Sequence, residues 1–509
     1  MENVTLKQKI KSLGWKKIAA LVILACLDLF IIALPYYMKS AIPNFYQKMH
    51  VEESVLLNAT AIIGWVTLLT QIPGGWLADK YSNKKLLLIG VALTFIASLW
   101  FAALIISGHN YQAEQKYLLN YQYYAIFFIW GISTTPFFWS PLWKLVSQQT
   151  TKEEQGLAYG IQGAFVGLIG FVFTGIIGFV VLTLLDTFKD NVVVSSWITG
   201  SYMLLFSFSM FILWFALLFF VKENKSDVKS GTSLKSLAQV LSDWKIWALA
   251  IFLLGMYTFQ STFSYYLNQL LAATVAEALL IPASVLTIMF AFRVYGLRLL
   301  VGGLISKVSD RFKSFILLLI IASGVGIILV LVFMFMPGIV QAGNATLENP
   351  FNAIEYYGLG KDASTQRKIL FFFLFVLMNI IFFMIITCSW IMVTLRYAQQ
   401  GEIYTPKNSY GTVTAVFSLI GFSSDAWLSQ IGSVVTESYK VPTYHYITKE
   451  KDYGIEMVTD PFAYQIMIII GCAIALIGIL AALAVYISNV RFNKKYNIQF
   501  SRWREVQNA

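Results

Sequence analysis

The chain has 509 residues, of which 58% are hydrophobic and 12% are charged, and its formal net charge is +11. Soluble domains carry about 25% charged residues. This composition therefore excludes a disordered or collagen-like chain and argues against a soluble enzyme or a nucleic-acid-binding protein. The predicted environment of the chain is a lipid bilayer.

Cysteine and histidine residues form no pattern that indicates a metal site, a disulfide framework or a resident cofactor. The cysteines lie in apolar runs and the histidines in polar connections: Cys26, Cys388, Cys472, His50, His109 and His445. None of the cysteines forms a CxxC pair. The sequence also offers no nucleophile–base pair, so it predicts a protein that is not an enzyme and that needs neither a cofactor nor a metal.

Twelve apolar runs are each long enough to cross a membrane as a helix, which takes about 20 residues. Only helices and closed barrels satisfy their backbone groups in hydrocarbon, and barrel strands are about half this length. The runs are 18–38, 55–78, 86–107, 122–143, 157–184, 195–221, 244–267, 283–305, 315–337, 369–395, 409–432 and 463–489. The predicted fold is therefore an all-α membrane protein with twelve transmembrane helices.

The positions of lysine and arginine predict the orientation. The side that holds both termini carries 25 of the 37 Lys and Arg residues, the opposite side carries 10, and two lie within a span. Because basic loops stay on the cytoplasmic side, we expect a multi-pass protein of the cytoplasmic (inner) membrane with both termini in the cytoplasm. No small-residue cleavage site follows the first run, which is expected to remain as a helix.

The longest charged segment on the termini side is 222–243, which follows six predicted spans and precedes six more. This position predicts an internal duplication. We expect an N-terminal six-helix bundle over 1–221, a cytoplasmic linker over 222–243 and a C-terminal six-helix bundle over 244–509. Two long polar loops on the opposite side, 338–368 and 433–462, are expected to be surface connections.

A motif of glycines and charges follows the second span: Pro73-Gly74-Gly75-Trp76-Leu77-Ala78-Asp79-Lys80-Tyr81-Ser82-Asn83-Lys84-Lys85. Small residues permit close helix contact, and an acid beside bases at a helix end can form a charged latch. The chain resembles the major facilitator superfamily of secondary transporters, whose signature in this loop it matches at Gly75, Asp79, Lys80, Lys84 and Lys85. It departs at Ser82, where glycine is usual. The resemblance implies that this gating motif helps hold the outward-facing state, with Asp79 as its key residue.

Glycines recur every three to five residues in the fifth span and predict a close helix contact. They are Gly156, Gly160, Gly163, Gly167, Gly170, Gly175 and Gly178. The eighth span offers a partner stripe in Ser284, Ala291, Gly302 and Gly303. We predict that these two spans pack together, either as a static interface or as a seam that slides during transport.

Four ionisable residues lie deep within spans: Asp28, Arg293, Arg298 and Asp425. Each costs roughly 2.5–3.5 kcal/mol to place in the membrane and is a candidate for function. At about 1.5 Å rise per residue their depths overlap, which allows the pairs Asp28–Arg298 and Asp425–Arg293. The resemblance places the first, eighth and eleventh spans around a central cavity. Either the pairs only stabilise the bundle, or the arginines bind an anionic group while Asp28 or Asp425 exchanges a proton.

Further polar side chains can line such a cavity. We expect Gln260 and Tyr265 of the seventh span and Asn379 of the tenth to bind the solute together with the two arginines. Lys39 and Lys144 lie at span ends, from which lysine can reach the membrane surface. These two lysines are expected to be interfacial.

Two stretches resemble the glycerol-phosphate and sugar-phosphate carrier branch of the superfamily. They are Trp139-Ser140-Pro141-Leu142-Trp143-Lys144 with Glu154-Gln155-Gly156-x-x-x-Gly160, and Gly421-Phe422-Ser423-Ser424-Asp425. In that branch a basic residue of the first helix helps to hold phosphate, whereas this chain has Asp28 in its first span.

The predicted function is secondary active transport of a small polar solute, with an organic anion favoured, by alternating access as a proton symporter. A neutral or zwitterionic solute, drug efflux and a transporter-like solute sensor remain the alternatives. The expected partners are the solute, a coupling ion and the lipid bilayer. The chain is expected to be a monomer with no nucleic-acid partner.

Overall fold

The protein is described from a computed structural model. Its described residues are 14–149, 155–188, 191–223, 241–299, 312, 314–343, 345–403, 410–446 and 453–496, with side chains for all of them except 79, 155–159, 410–412, 444–446 and 453–456. We term the side of the membrane on which the first helix begins the termini side, and the opposite side the far side.

Six long helices form the first half of the chain. They are α1 (Trp15–Ala41), α2 (Glu53–Lys80), α3 (Asn83–Ser107), α4 (Ala113–Gln148), α5 (Gly160–Thr187) and α6 (Val192–Phe220). Polar N-cap residues stabilise the first turns of two of these helices. At the start of α3 the Ser82 side chain accepts a hydrogen bond from the Lys85 N–H, and at the start of α6 the Asn191 side chain accepts one from the Val194 N–H. Such caps satisfy amide groups that have no partner within the helix.

The second half continues with α7 (Trp244–Ala276), α8 (Ala283–Ala291, extended by Phe292–Gly296), α9 (Phe315–Phe335), α10 (Thr365–Leu395), α11a (Tyr410–Gly421), α11b (Ser424–Ser438) and α12 (Pro461–Tyr496). The helical residues of α8 run to residue 299, where the described segment ends. The rest of the predicted eighth span, with Gly302 and Gly303, lies outside the described residues. So do residues 224–240 of the predicted linker.

Ten helices in the described part of the chain are long and apolar enough to cross a membrane. The two predicted spans that are missing from this count are the eighth, which is described only in part, and the eleventh, which is broken at Phe422 and Ser423. The prediction of an all-α membrane fold is confirmed. The eleventh span is not one straight helix, because the Ser423 N–H bonds the Ile420 carbonyl in a tight turn.

A β-hairpin lies in the far-side loop before α12, where the sequence predicted only a surface connection. β1 (Lys440–Tyr446) and β2 (Tyr453–Thr459) pair antiparallel, from Lys440 opposite Thr459 to Tyr446 opposite Tyr453. Phe351, from the other long loop, donates its N–H to the Pro442 carbonyl. A small apolar cluster joins these segments: Ala278, Val340, Ala342, Phe351, Ala353, Tyr357, Leu359 and Val441. The two loops therefore form one folded cap on the far side.

The apolar core has two main parts. One is built from α1–α6 and includes Phe290, Ala291, Val294 and Tyr295 of α8, and the other is built from α7–α12 and includes Leu57 of α2. The two halves of the chain therefore contact each other through α8 and α2. The predicted division into bundles over 1–221 and 244–509 with a linker over 222–243 stays a prediction.

Wide, π-helical turns interrupt five of the described helices: Ala33–Tyr37, Thr135–Trp139, Phe171–Ile177, Ala272–Ala276 and Phe292–Gly296. The first two contain Pro35 and Pro136, which lack the N–H that a regular helix needs. Such turns are frequent at functional sites. In this protein the first two of these turns present Tyr36, Tyr37 and Trp139 to a central cavity.

Candidate functional site

A cavity of about 360 Å³ lies between the two halves of the chain. It extends from Ser40 and Leu57 near the far side to Arg396 and Tyr397 beyond the termini-side end of α10. The polar side chains that line it come from six helices and the segment after α10: Tyr36, Tyr37, Lys39, Ser40, Thr60, Thr67, Gln71, Trp139, Ser140, Trp143, Tyr257, Gln260, Ser261, Thr262, Ser264, Tyr265, Tyr266, Arg396, Tyr397, Thr414, Ser418, Ser424, Asp425 and Ser429.

Among the described residues, two cations and one carboxylate face this cavity, so the described part of its lining carries a formal charge of +1. Lys39 Nζ donates to Thr60 Oγ1 at 3.2 Å and lies 5.6 Å from the centre of the Tyr265 ring. Asp425 Oδ2 accepts from the Tyr257 hydroxyl at 2.7 Å and interacts electrostatically with Lys39. Arg396 stacks on aromatic rings and forms no ion pair with any described side chain.

Lys39 is not interfacial, contrary to the prediction from its position at a span end. The C-terminal turn of α1 is covered by the second half of the chain, because Asn268 donates to the Ser40 carbonyl and Thr287 donates to the Ala41 carbonyl. The end of this helix is therefore enclosed by protein, and the lysine points into the cavity.

The predicted pair of Asp28 and Arg298 is present. The guanidinium Nη2 lies 3.9 Å from Asp28 Oδ2, which also accepts from Gln162 Nε2 at 2.7 Å. Asp28 is buried, and Arg298 also lies over the Trp390 ring. The pair joins α1 of the first half to α8 of the second but does not line the central cavity.

The predicted pair of Asp425 and Arg293 is wrong. Arg293 is 1% exposed and donates to Asn379 Oδ1 and Asn268 Oδ1, each at 3.0 Å. The direction of the Arg293 side chain explains why the predicted pairing is wrong. Residues advance about 100° around a helix, so Arg293 and Arg298 leave α8 on different faces. Arg293 and Asn379 are therefore packed behind the cavity wall, whereas Gln260 and Tyr265 line the cavity.

Several lining residues were not identified from the sequence. Thr60, Thr67 and Gln71 recur at steps of seven and four, so they share one face of α2. Tyr36 and Tyr37 follow Pro35 in an otherwise apolar run. Both patterns are visible in the sequence and could have indicated the cavity, whereas Arg396 lies beyond a span and gave no such signal.

The gating motif lies at the termini-side end of α2 and the start of α3. Glu223, which follows α6, accepts from the N–H groups of Asn83 (2.6 Å) and Lys84 (3.3 Å), and Lys84 Nζ donates to the Leu218 carbonyl. Lys80 is exposed over the Trp76 ring, and the Lys85 N–H donates to Ser82 Oγ at 3.3 Å. The Asp79 side chain lies outside the described residues. The predicted gating role of Gly75, Asp79 and the three lysines stays a prediction.

The two halves of the chain are joined on the far side by contacts that cross between them. Beside those that cover the end of α1, Ser433 donates to the Ser54 carbonyl at 3.0 Å, and Lys440 Nζ lies 2.9 Å from Glu52 Oε2. Gly64 of α2 directly abuts the backbone of Asp425 and Ala426. The central cavity is therefore closed on the far side in this structure.

The glycine stripe of α5 packs against α8, as predicted. A Cβ at Gly167 would lie 3.0 Å from the Tyr295 carbonyl oxygen, and one at Gly170 would overlap the Tyr295 ring. A Cβ at Gly160, nearer the termini side, would meet no described atom within 4 Å. The two helices therefore approach closely at Gly167 and Gly170.

Comparison with known proteins identifies the family. Residues 18–427 match the model of the Major Facilitator Superfamily. The chain belongs to this superfamily. A relative from Mycoplasma pneumoniae (strain ATCC 29342 / M129 / Subtype 1), named uncharacterized protein MG294 homolog, is 34% identical over 523 residues that cover 100% of this chain and 99% of the relative.

Solved structures share the fold at low sequence identity. The nucleoside transporter NupG has a TM-score of 0.59 at 13% identity, over 92% of this chain and 99% of that chain. A bacterial homologue of the human drug peptide transporters PepT1 and PepT2 has a TM-score of 0.56 at 11% identity, over 94% of this chain and 99% of that chain. These likenesses show the fold alone.

This member of the Major Facilitator Superfamily is a multi-pass membrane transporter, and its partners are a small-molecule solute and membrane lipid. The central cavity lies between the two halves of the chain, where the solute of such a fold is accommodated. Neither the family model nor these structures single out the sugar-phosphate carrier branch, which stays a resemblance in two short stretches.

Proposed function

We propose that the protein is a secondary transporter that moves a small organic anion by alternating access, coupled to protons. The observation that carries the proposal is the charge of the central cavity, where, in the part of the chain that the structure describes, Lys39 and Arg396 face one carboxylate, Asp425. The basic loops favour the cytoplasmic membrane with both termini in the cytoplasm. In this orientation the structure corresponds to a state closed toward the cell exterior.

The anion is expected to bind between Lys39 and Arg396. Arg396 makes no ion pair with a described residue, and stacking on Tyr397 and Phe422 leaves its N–H donors free for a ligand. Guanidinium groups bind carboxylates and phosphates through two parallel hydrogen bonds. A volume of about 360 Å³ suits a small metabolite, so we propose a carboxylate or a phosphate ester.

Proton coupling would follow from competition for Lys39. Asp425 shares this lysine with any anion that enters the cavity. When the anion pairs with Lys39, the Asp425 carboxylate loses its counter-charge and its affinity for a proton rises. Asp28, in its pair with Arg298 between the halves, is the second candidate for proton exchange.

A zwitterionic solute is the second candidate, because Asp425 could hold an ammonium group while Arg396 holds an anionic one. The solved structures named above are a nucleoside transporter and a bacterial homologue of peptide transporters, so the shared fold does not select a solute. A solute sensor would bind the same ligands without moving them.

The test combines binding and flux. Purified protein is screened by thermal shift against carboxylates, phosphate esters, amino acids and neutral sugars, and each ligand found is assayed for uptake into proteoliposomes. We expect anions to bind and to be taken up, with both properties lost in Arg396→Gln and retained in Lys368→Gln, which removes an exposed cation outside the cavity. Binding without uptake would identify a sensor, and a zwitterion as the sole ligand would favour the second candidate.

A further inference from the structure

A second pocket, of about 470 Å³, opens on the far side of the protein between the loops of the first half and the β-hairpin of the second. Its floor includes Glu53, the first residue of α2, and Thr459, the last residue of β2. Lys440 and Glu52 lie at its rim. Because both halves contribute to its walls, the pocket must change shape whenever the halves separate on this side.

Only a thin partition separates this far-side pocket from the central cavity. Tyr265 lines the central cavity, and its hydroxyl donates to Glu53 Oε1 at 2.5 Å. Glu53 in turn lines the far-side pocket. A single hydrogen bond between these two side chains therefore spans the distance from one space to the other.

Glu53 is held by three hydroxyl groups, all of which belong to the second half of the chain. Besides Tyr265 of α7, Thr459 of β2 donates to Oε2 at 2.5 Å and Tyr464 of α12 donates to the same atom at 2.9 Å. The carboxyl group is buried, with Glu53 3% exposed. A buried polar group that loses its hydrogen-bond partners is costly, so these three bonds favour contact between the halves.

The neighbouring ion pair contributes much less to this closure. The Glu52 side chain is 62% exposed where it meets Lys440, and exposed pairs of this kind are weakened by water and salt. Glu52 and Glu53 therefore offer a natural comparison: adjacent acids at the same seam, one exposed and one buried.

We propose that the far-side pocket is the closed entrance of the transport path and that Glu53 is the latch that holds it shut. Opening this entrance requires the carboxylate to leave all three hydroxyl donors together, because they sit on three different elements of the opposite half. Tyr265 then moves away from Glu53, and the far-side pocket and the central cavity become one space. The inference rests on alternating access as part of the proposed function.

The experiment measures access to the central cavity from the far side. Ser264, which lines that cavity beside Tyr265, is replaced by cysteine in a chain whose Cys26, Cys388 and Cys472 are changed to alanine. The protein is placed in vesicles, its orientation is determined from protease access to an N-terminal tag, and a membrane-impermeant maleimide is added on the far side. Labelling needs no solute, so its result is independent of whether the proposed anion is transported.

We expect Glu53→Gln to accelerate far-side labelling of Ser264→Cys about tenfold, the change that a loss of about 1.4 kcal/mol from the closed state produces. Glu52→Gln, the matched control, should change the rate less than about twofold. Tyr464→Phe removes one of the three donors with little change of shape and should give an intermediate rate. If Glu53→Gln fails to fold, Tyr464→Phe alone still tests the proposal by comparison with Glu52→Gln.

Equal far-side labelling rates in Glu53→Gln, Tyr464→Phe and Glu52→Gln would overturn the proposal, provided that maleimide added on the termini side labels all three variants. Such a result would mean that the hydroxyl–carboxylate contacts do not control the entrance.

Discussion

The side chain of Arg293 is enclosed by two amides and an aromatic ring. It donates to Asn268 and Asn379, and its guanidinium carbon lies 4.0 Å from the centre of the Phe382 ring. Arg396 differs because it faces the cavity and is bonded to no described carboxylate. The first arginine is therefore expected to stabilise the fold, and the second to bind the solute.

Replacing these two arginines by methionine separates the two roles. Arg293→Met leaves two buried amide oxygens without their donor and should lower the free energy of unfolding by about 2–4 kcal/mol. Arg396→Met should change stability by less than about 0.5 kcal/mol while abolishing anion binding. Thermal unfolding and ligand-induced shifts of the purified variants measure both effects. Equal losses of stability would contradict this assignment.

His50 provides a pH-dependent test outside the membrane-spanning segments. Burial lowers the pKa of His50 to about 4, helped by nearby His109, Lys48 and Lys116, and its ring is bonded to the Ser196 hydroxyl at 2.9 Å. The unfolded imidazole binds a proton near pH 6.5, so between about pH 6.5 and 4 the unfolded state holds more protons than the folded state. Stability should therefore fall as the pH drops through this window.

His50→Gln removes this titration and should flatten the dependence. The expected result is a melting temperature that falls less between pH 7 and pH 5 in the variant than in the wild-type protein. If the melting temperature falls equally between pH 7 and pH 5 in both proteins, His50 is not the cause of the pH dependence.

The embedded charges illustrate what residue-level reasoning can and cannot predict. Depth along a helix follows directly from counting residues, and it led correctly to the contact of Asp28 with Arg298. The direction of a side chain around the helix depends on which neighbours surround it, which a single sequence does not give. Arg293 was therefore assigned to Asp425, although the amides of Asn268 and Asn379 satisfy it.

Among the helices, the contact of α5 with α8 depends on individual glycines. A methyl group at Gly170 would overlap the ring of Tyr295, which is 1% exposed and has little room to move. At Gly160 the same methyl group would meet no described atom within 4 Å.

Alanine substitutions at these two positions should have opposite effects. Gly170→Ala is expected to lower the free energy of unfolding by about 1–3 kcal/mol, as overpacking does. Gly160→Ala should raise it by about 0.5–1 kcal/mol, because alanine is the better helix former. Thermal unfolding of both variants in the same detergent provides the measurement, and a Gly170→Ala variant as stable as the wild-type protein would contradict the close contact described above.

Two elements could not be predicted from hydropathy. The run 409–432 is long and predominantly apolar, so it predicted one straight span, and the break at Phe422 and Ser423 depends on a local turn. The β-hairpin lies in a polar segment outside the membrane, where apolar run length carries no information. Its strands are fixed by pairing with each other and with Phe351.

At the scale of the whole molecule, the sequence was sufficient to predict the class of fold. Long apolar helices are required by the lipid, and the match of residues 18–427 to the Major Facilitator Superfamily agrees with the motif after the second span. The conformational state was not predictable, because it depends on contacts such as those of Asn268 and Thr287 with the end of α1. These contacts join residues more than two hundred positions apart in sequence.

Coupling between solute and proton is a property of the whole transport cycle, and Asp425 is its proposed centre. Asp425→Asn should abolish uptake driven by a pH gradient while solute exchange across the membrane continues, because the cycle with bound solute no longer requires a proton. Asp28→Asn serves as the comparison. If only Asp28→Asn separates exchange from gradient-driven uptake, the coupling role belongs to the pair with Arg298.

The most direct test of the account measures proton movement into proteoliposomes that contain a pH-sensitive dye, while carboxylates, phosphate esters, amino acids and neutral sugars are added in turn. The account predicts that at least one carboxylate or phosphate ester acidifies the interior in the presence of the wild-type protein. The response should be lost when Lys39 and Arg396 are both replaced by glutamine. A response to neutral sugars alone, or an anion response that persists in the double variant, would contradict it.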